Sequence, residues 1–179
     1  MKILETERLL LRHLVLEDLD SLYELYRDPQ VTRFIPDAPT SIEETREELE
    51  WFLNGHPNHP ELGLWATIYK ESGRFIGRCG LLPWTIEGKQ EVEVATTIAR
   101  EFWGLGLGTE AAQAVLDYAF DQLHIERLIC LIEPENTASQ RVASKIGMSL
   151  EREVDGIGGD GIPTWIYSIE RQESARADK

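Results

Sequence analysis

The sequence is short of cysteine and histidine, with two and four in 179 residues, and short of positive charge, with 18 Lys and Arg against 32 Asp and Glu. Each shortage excludes something. Cys79 and Cys130 sit in apolar, strand-like runs with no partner at metal-ligand spacing, which makes them small buried hydrophobes of a reducing compartment. His56 and His59 share a proline-stiffened loop, with neither a third ligand nor a helical face to organise them. No metal site is expected. The net charge of −14 works against binding to nucleic acid or anionic lipid, both of which are held by basic patches, and it favours cationic partners. No apolar run approaches ~20 residues, so nothing reads as a membrane span. The N-terminus turns charged at Lys2 and Glu5, too early for a signal peptide, and the cytoplasm is the expected compartment.

What is present is an ordinary globular composition, 42% hydrophobic and 28% charged, in a length that suits one core. One domain is expected over residues 1–171, with a charged, disordered tail over 172–179. A weakly alternating first strand lies at 8–12. Residues 14–27 carry the apolar stripe Leu19, Leu22, Tyr23, Tyr26 of an amphipathic helix, stopped by Asp28-Pro29. Ser41 and Glu44 form a capping box that opens a second helix to about residue 53. Runs at 64–69 and 74–82 make an antiparallel hairpin about Glu71-Ser72-Gly73, and 91–98 adds a strand. An Ala-rich helix follows, with Ala112, Val115, Leu116, Ala119 and Leu123 on its apolar face. A continuous apolar strand spans 127–132. A last helix has Ala138, Val142 and Ile146 on its buried side and Gly147 as its C-terminal stop. Two late runs, 150–154 and 164–169, close as a hairpin through the loop 155–163.

Between the strand at 91–98 and the helix after it stands Phe102-Trp103-Gly104-Leu105-Gly106-Leu107-Gly108-Thr109-Glu110. Glycine at every second position permits positive φ and lets the backbone approach a ligand closely. The amides of Gly106, Leu107, Gly108 and Thr109 become free donors at the positive end of a helix dipole, which suits phosphate oxygens. A P-loop is excluded, because Thr109-Glu110 stands where Lys-Ser or Lys-Thr would be needed. The spacing G-x-G-x-G also misses the dinucleotide fingerprint G-x-G-x-x-G. A glycine-rich turn without a ligand remains open on this loop alone.

The next segment adds Pro134-Glu135-Asn136-Thr137-Ala138-Ser139 and Lys145-Ile146-Gly147-Met148. Together with the glycine loop, these resemble the signature of the GNAT acyl-CoA N-acyltransferases, and within them the RimJ/RimL-like branch that acetylates ribosomal-protein N-termini. The likeness runs from Glu5-Thr6-Glu7-Arg8 to Trp165-Ile166-Tyr167-Ser168. It implies an α/β (α+β) GNAT fold: a central mixed, mostly antiparallel sheet of about seven strands, flanked by about four helices. It implies acetyl-CoA as co-substrate and an amine, cationic before it reacts, as acceptor. It implies a splayed pair of strands holding the pantetheine arm through main-chain groups of Thr97, Ile98 and Ala99. The amides of Trp103, Gly104, Leu105, Gly106, Leu107, Gly108 and Thr109 would hold the pyrophosphate, and Asn136 and Ser139 the arm further along. Phe34, Ile35 and Trp51 become walls of the acceptor pocket, with Pro36 and Phe52 as further candidates. Arg100, Arg141 and Lys145 are candidate counter-charges. A homodimer through the late hairpin also fits.

Transfer to an amine needs that amine neutral. An α-amine is about a tenth neutral at pH 7, whereas lysine is neutral in roughly 1 molecule in 2500, a difference of about 3.5 kcal/mol. Two residues are candidates for the proton work. Glu93 matches a carboxylate of the branch that could take the amine proton through water, and Ser139 a serine suggested to serve the leaving thiol. Two departures matter. Trp103 replaces the Arg or Gln of many relatives, and Ala143 stands where many carry a tyrosine acid. The reaction implied is direct attack in a ternary complex. A non-catalytic acyl-CoA-binding sensor or scaffold on the same fold is the alternative that Ala143 keeps open.

Overall fold

Leu9 and Leu11 alternate with half-buried residues and start the sheet at its N-terminal edge. The computed structural model describes residues 1–156 and 161–171. In chain order it has β1 (Lys2–Glu5), β2 (Leu9–His13), α1 (Leu19–Tyr26), α2 (Pro29–Thr32), α3 (Ile42–Phe52), β3 (Gly63–Tyr69), β4 (Arg74–Ile86), β5 (Lys89–Ile98), α4 (Leu107–Asp121), β6 (Arg127–Ile132), α5 (Thr137–Lys145), β7 (Ser149–Val154) and β8 (Thr164–Glu170). The strands form one mixed sheet in the order β1-β2-β3-β4-β5-β6-β8-β7, flanked by the five helices.

One strand and one helix go beyond the sequence expectation, each for a local reason. Residues 2–5 are too short to show a period, yet they pair with β2 through Leu4↔Leu11. Asp28-Pro29, expected only to stop α1, also starts α2: the Asp28 carboxylate accepts from Gln30 N at 2.9 Å, with proline at the first helical position. α1 itself begins at Leu19, the first residue of its apolar stripe and five residues after the expected start at 14. Leu14 is buried with Phe52, Leu64 and Ala66, and a single tight turn follows it. There Asp18 accepts from Val15 N at 2.9 Å and holds the Arg12 guanidinium with two bonds of 2.7 Å. β4 runs on through Pro83 to Ile86, then turns at Glu87-Gly88, whose φ values of 50° and 80° are those of a tight hairpin turn. The Ser41 cap forms as expected, its Oγ accepting from Glu44 N at 3.1 Å. Part of the loop 155–163 and the tail 172–179 lie outside the described residues.

Two cores sandwich the sheet. On one face α4 buries Leu107, Ala111, Ala112, Val115, Leu116 and Ala119 against Ile76, Leu81, Val94, Ile98 and Leu128. On the other, α1 and α3 bury Leu19, Leu22, Leu25 and Leu49 together, while Phe52 packs with Leu64 and Ala66. Burying a large apolar side chain stabilises by about 1.5–3 kcal/mol, so both layers are held mainly by such residues. The sheet has one weak seam. β4 and β5 pair along their whole length, from Gly77↔Ile98 to Ile86↔Lys89. β5 and β6 run parallel and meet at a single pair, Glu93↔Ile129.

Candidate active site

The seam is closed below that pair by Arg127 on β6. Its guanidinium donates to Glu91 at 3.0 Å, to Glu151 at 2.7 Å and to Glu170 at 2.9 Å, tying β5, β7 and β8 to β6. These carboxylates raise the Arg127 pKa against the effect of its burial. Above the pair the two strands part. Cys130 reaches across the gap by its thiol, which donates to the Val94 carbonyl at 3.3 Å. Burial pushes the pKa of this thiol well up, so it is a neutral wall rather than a thiolate.

Glu93 lies where the strands separate. The Trp84 indole donates to its carboxylate at 2.7 Å, and the Leu131 main chain adds a hydrogen bond. Burial raises the Glu93 pKa; these two bonds and the charge of Arg78 oppose the rise without cancelling it. A carboxylate so placed takes up a proton more readily than an exposed one.

At the far end of the gap is the glycine loop. Gly104 and Gly106 have φ of 77° and 78°, and a Cβ at Gly106 would meet only Arg8 Nη2, at 3.7 Å. Glycine is thus needed here for backbone conformation and not for space. A Cβ at Gly108 would make ordinary contact with Ile98 at 3.8 Å, so this position tolerates alanine. Gly106 precedes α4 without any side-chain cap, leaving the first-turn amides of Leu107, Gly108 and Thr109 to another acceptor. Trp103 and Leu105 keep exposed side chains, and the Trp103 indole donates to the Ile98 carbonyl at 2.7 Å. Ala99 donates to Ile76 and accepts from Phe102, Ile98 accepts from the Trp103 indole, and Thr97 pairs with Arg78 on β4, so all three predicted arm-binding positions have main-chain groups engaged inside the protein.

Sequence reasoning missed what holds this loop. Arg8 Nη1 donates to the Leu105 carbonyl at 2.9 Å, and its Nε to Glu110 at 2.6 Å. Thr6 donates to the same Glu110 at 2.5 Å. The turn between β1 and β2 therefore turns a loop carbonyl aside and leaves a cation beside the amides. The partners are about a hundred residues apart, and no local pattern announces them.

α5 supplies the opposite wall. Asn136 caps it, with Oδ1 accepting from Ser139 N at 3.1 Å, which orients the amide and leaves Nδ2 without a partner among the described residues. The Ser139 hydroxyl, half-buried, likewise has no partner among them, so it is not absorbed by the backbone of its helix. Ala143 is buried in the core, and no side chain at that position can act as an acid. Arg33 bonds Glu135 at 2.9 Å and lies over the Phe34 ring, which links Phe34 to the loop before Asn136, whereas Ile35 packs against the core of α1 and α3. Trp51 is not gathered with them. It is 55% exposed on α3 and packs edge-on to His56. Arg100 is paired with Asp28 at 3.0 Å, while Arg141 and Lys145 are exposed on α5. Two surface cavities, of about 960 and 610 Å³, flank α1 and contain neither Glu93 nor Ser139. No helix among the described residues is long and apolar enough to cross a membrane, and none of their His, Cys, Asp and Glu clusters could hold a metal ion.

An open parallel seam, a glycine loop at a helix start and a capped asparagine facing it together define an acyl-CoA transferase architecture. Residues 8–149 match the acetyltransferase (GNAT) domain, and the chain belongs to that family and is an acyltransferase. Over 179 residues it is 31% identical to the uncharacterized N-acetyltransferase p20 of Bacillus licheniformis, covering 98% of this chain and 99% of p20. A crystal structure of a GNAT-family acetyltransferase from Bacillus anthracis superposes with a TM-score of 0.81 at 27% identity, over 97% of this chain and all of that one. The ribosomal alpha-N-protein acetyltransferase RimL, solved with coenzyme A in disulfide linkage to a cysteine, shares the fold with a TM-score of 0.78 at 18% identity, over 95% and 98% of the two chains.

Proposed function

We propose that this chain binds acetyl-CoA in the β5–β6 seam and moves the acetyl group to a primary amine by direct attack within a ternary complex. The observation that carries this reading is the single pairing point Glu93↔Ile129, which places a carboxylate at the mouth of a gap lined by unpartnered donors. The amides of the 104–109 loop and the α4 dipole hold the pyrophosphate, while the expected Trp103 amide is spent on the Arg100 carbonyl at 3.0 Å. Asn136 Nδ2 bonds the pantetheine arm. The amine nitrogen attacks the thioester carbon and its proton passes through water to Glu93. The C–S bond breaks as the Ser139 hydroxyl donates to the departing thiolate, and Ser139 is reprotonated through water from Glu93, which restores both residues. Such acid–base help is worth roughly 10²–10⁴-fold, and positioning supplies the remainder. A low-pKa amine, whether a protein N-terminal α-amine as in the RimJ/RimL-like branch or the amine of a small molecule, suits a site without a strong base. The free thiols of Cys79 and Cys130 suit a reducing, cytoplasmic setting.

Thermal unfolding with acetyl-CoA tests it. At 100 times its dissociation constant the ligand should add about 2.7 kcal/mol, a shift of several degrees. Gly106→Val, which forces a β-branched residue to positive φ, should weaken binding about ten-fold. No shift for the wild-type protein would remove the transferase reading. Binding without turnover over a broad amine panel would favour a non-catalytic acyl-CoA sensor, the reading that Ala143 allows.

A further inference from the structure

On the face of the sheet covered by α1 and α3, one buried charge lacks a full set of partners. Arg78 of β4 is 6% exposed. Its Nε donates to the Tyr26 hydroxyl, which in turn donates to Glu48, and the nearest Glu48 oxygen lies 3.8 Å from that Nε. The guanidinium carbon sits 5.4 Å from the centre of the Tyr26 ring. The hydroxyl and the ring thus fix the plane of the fork. Nη1 and Nη2 have no hydrogen-bond partner among the described residues. Nor are they sealed off, since the fully enclosed side-chain atoms lacking a partner are His13 Nδ1 and Thr67 Oγ1. Burial opposes the charge, but the Tyr26 hydroxyl and the carboxylates of Glu48 and Glu93 outweigh it and keep the guanidinium ionised, while its terminal donors are left to solvent or to a ligand. A carboxylate matches that planar edge with two parallel bonds.

Arg78 also stands in register with the proposed chemistry. It pairs with Thr97, and Glu93 pairs with Leu82 on the same two strands. An offset of four residues puts Arg78 and Glu93 on one face, about 13 Å apart along the strands. The pair between them is Gly80↔Ala95, so no long side chain separates the two. One end of this row offers a carboxylate to an ammonium and the other a guanidinium to an anion.

Resting on the acetyl-transfer reading, we propose that Arg78 sets acceptor specificity by binding a carboxylate of the acceptor through its Nη groups. The acceptor then carries its amine and a carboxylate several bonds apart, as a diamino acid or a dipeptide does, and is not a polyamine. Tyr26 is a positioning residue that holds the fork.

Matched acceptor pairs test this: lysine against cadaverine, ornithine against putrescine, a dipeptide against its C-terminal amide. Initial rates with acetyl-CoA should favour the carboxylate-bearing member at least ten-fold in kcat/KM. Arg78→Met should bring that ratio near one, mainly through KM, with the unfolding shift by acetyl-CoA retained. Arg78→Lys should keep part of the preference, and Tyr26→Phe should lower it without abolishing turnover. Equal or better use of the decarboxylated amine by the wild-type protein overturns the proposal, as does an equal loss on both members in Arg78→Met. If acetyl-CoA binds and no amine turns over, the decisive readout is unfolding of the acetyl-CoA-loaded protein with each pair. If acetyl-CoA does not bind, the transferase reading fails separately, and the same pairs are measured on the free protein. In either case the carboxylate member must stabilise wild type and not Arg78→Met, or the proposal falls.

Discussion

The two ends of the β5–β6 seam are built from the same two strands and similar polar residues, yet they do opposite things. At the closed end Arg127 meets three carboxylates, and Glu91, itself buried, has a second partner in Lys89 at 3.0 Å. At the open end Asn136 Nδ2 and the Ser139 hydroxyl face the gap without partners among the described residues. Burial does not separate the two ends; satisfaction does. Polar groups that are matched inside the chain hold strands together, and those left unmatched are what a ligand can complete.

Breaking the closed end should have the largest effect. Arg127→Met strands Glu91 in the sheet with Lys89 alone and should cost about 3 kcal/mol in urea unfolding, the scale for removing one partner of a buried ion pair. An unchanged midpoint would show that the seam is held elsewhere. Next comes the pairing point. Glu93→Gln should lower kcat/KM about 100-fold, or about 2.7 kcal/mol, and remove the acidic limb of the rate profile. That limb should lie above the ordinary carboxylate range, because burial raises the Glu93 pKa. The sign for stability is the reverse of that for activity. A carboxyl with a raised folded pKa favours the fold while protonated, and this contribution is lost as pH rises through that pKa. Glu93→Gln should therefore unfold no earlier than wild type at pH 7, and an acidic limb persisting in the variant would take Glu93 out of proton transfer. The smallest effect is expected at the open rim. Arg33 and Glu135 are both largely exposed, so Glu135→Gln should change stability by less than 1 kcal/mol. Acceptor KM should move less than three-fold, and a larger change would make this pair part of the acceptor site.

Much of the open end was legible before any coordinates, because its parts are local. The glycine spacing in 104–108 permits positive φ, which Gly104 and Gly106 adopt, and the Pro134–Ser139 motif announces a helix start, found at Thr137. Ser41 and Glu44 behave the same way. Legibility failed where meaning depends on what lies opposite. Trp51, a pocket wall by the family resemblance, is 55% exposed and packs on His56; Trp103, marked for its backbone amide, spends that amide on the Arg100 carbonyl and its indole on the Ile98 carbonyl.

By itself the sequence determined the order of the elements other than β1 and α2, the glycine loop and the Ser41 cap, because each follows from residues within a turn or a strand of one another, and the family, through three motifs in order. Tertiary structure alone decided that Arg8 would steady the loop through Glu110, that Arg127 would clasp four strands, and that Arg78 would lie buried with its Nη edge free. Those outcomes depend on which charges the strand order brings face to face. A charged side chain carries no mark of its partner until the chain has closed around it.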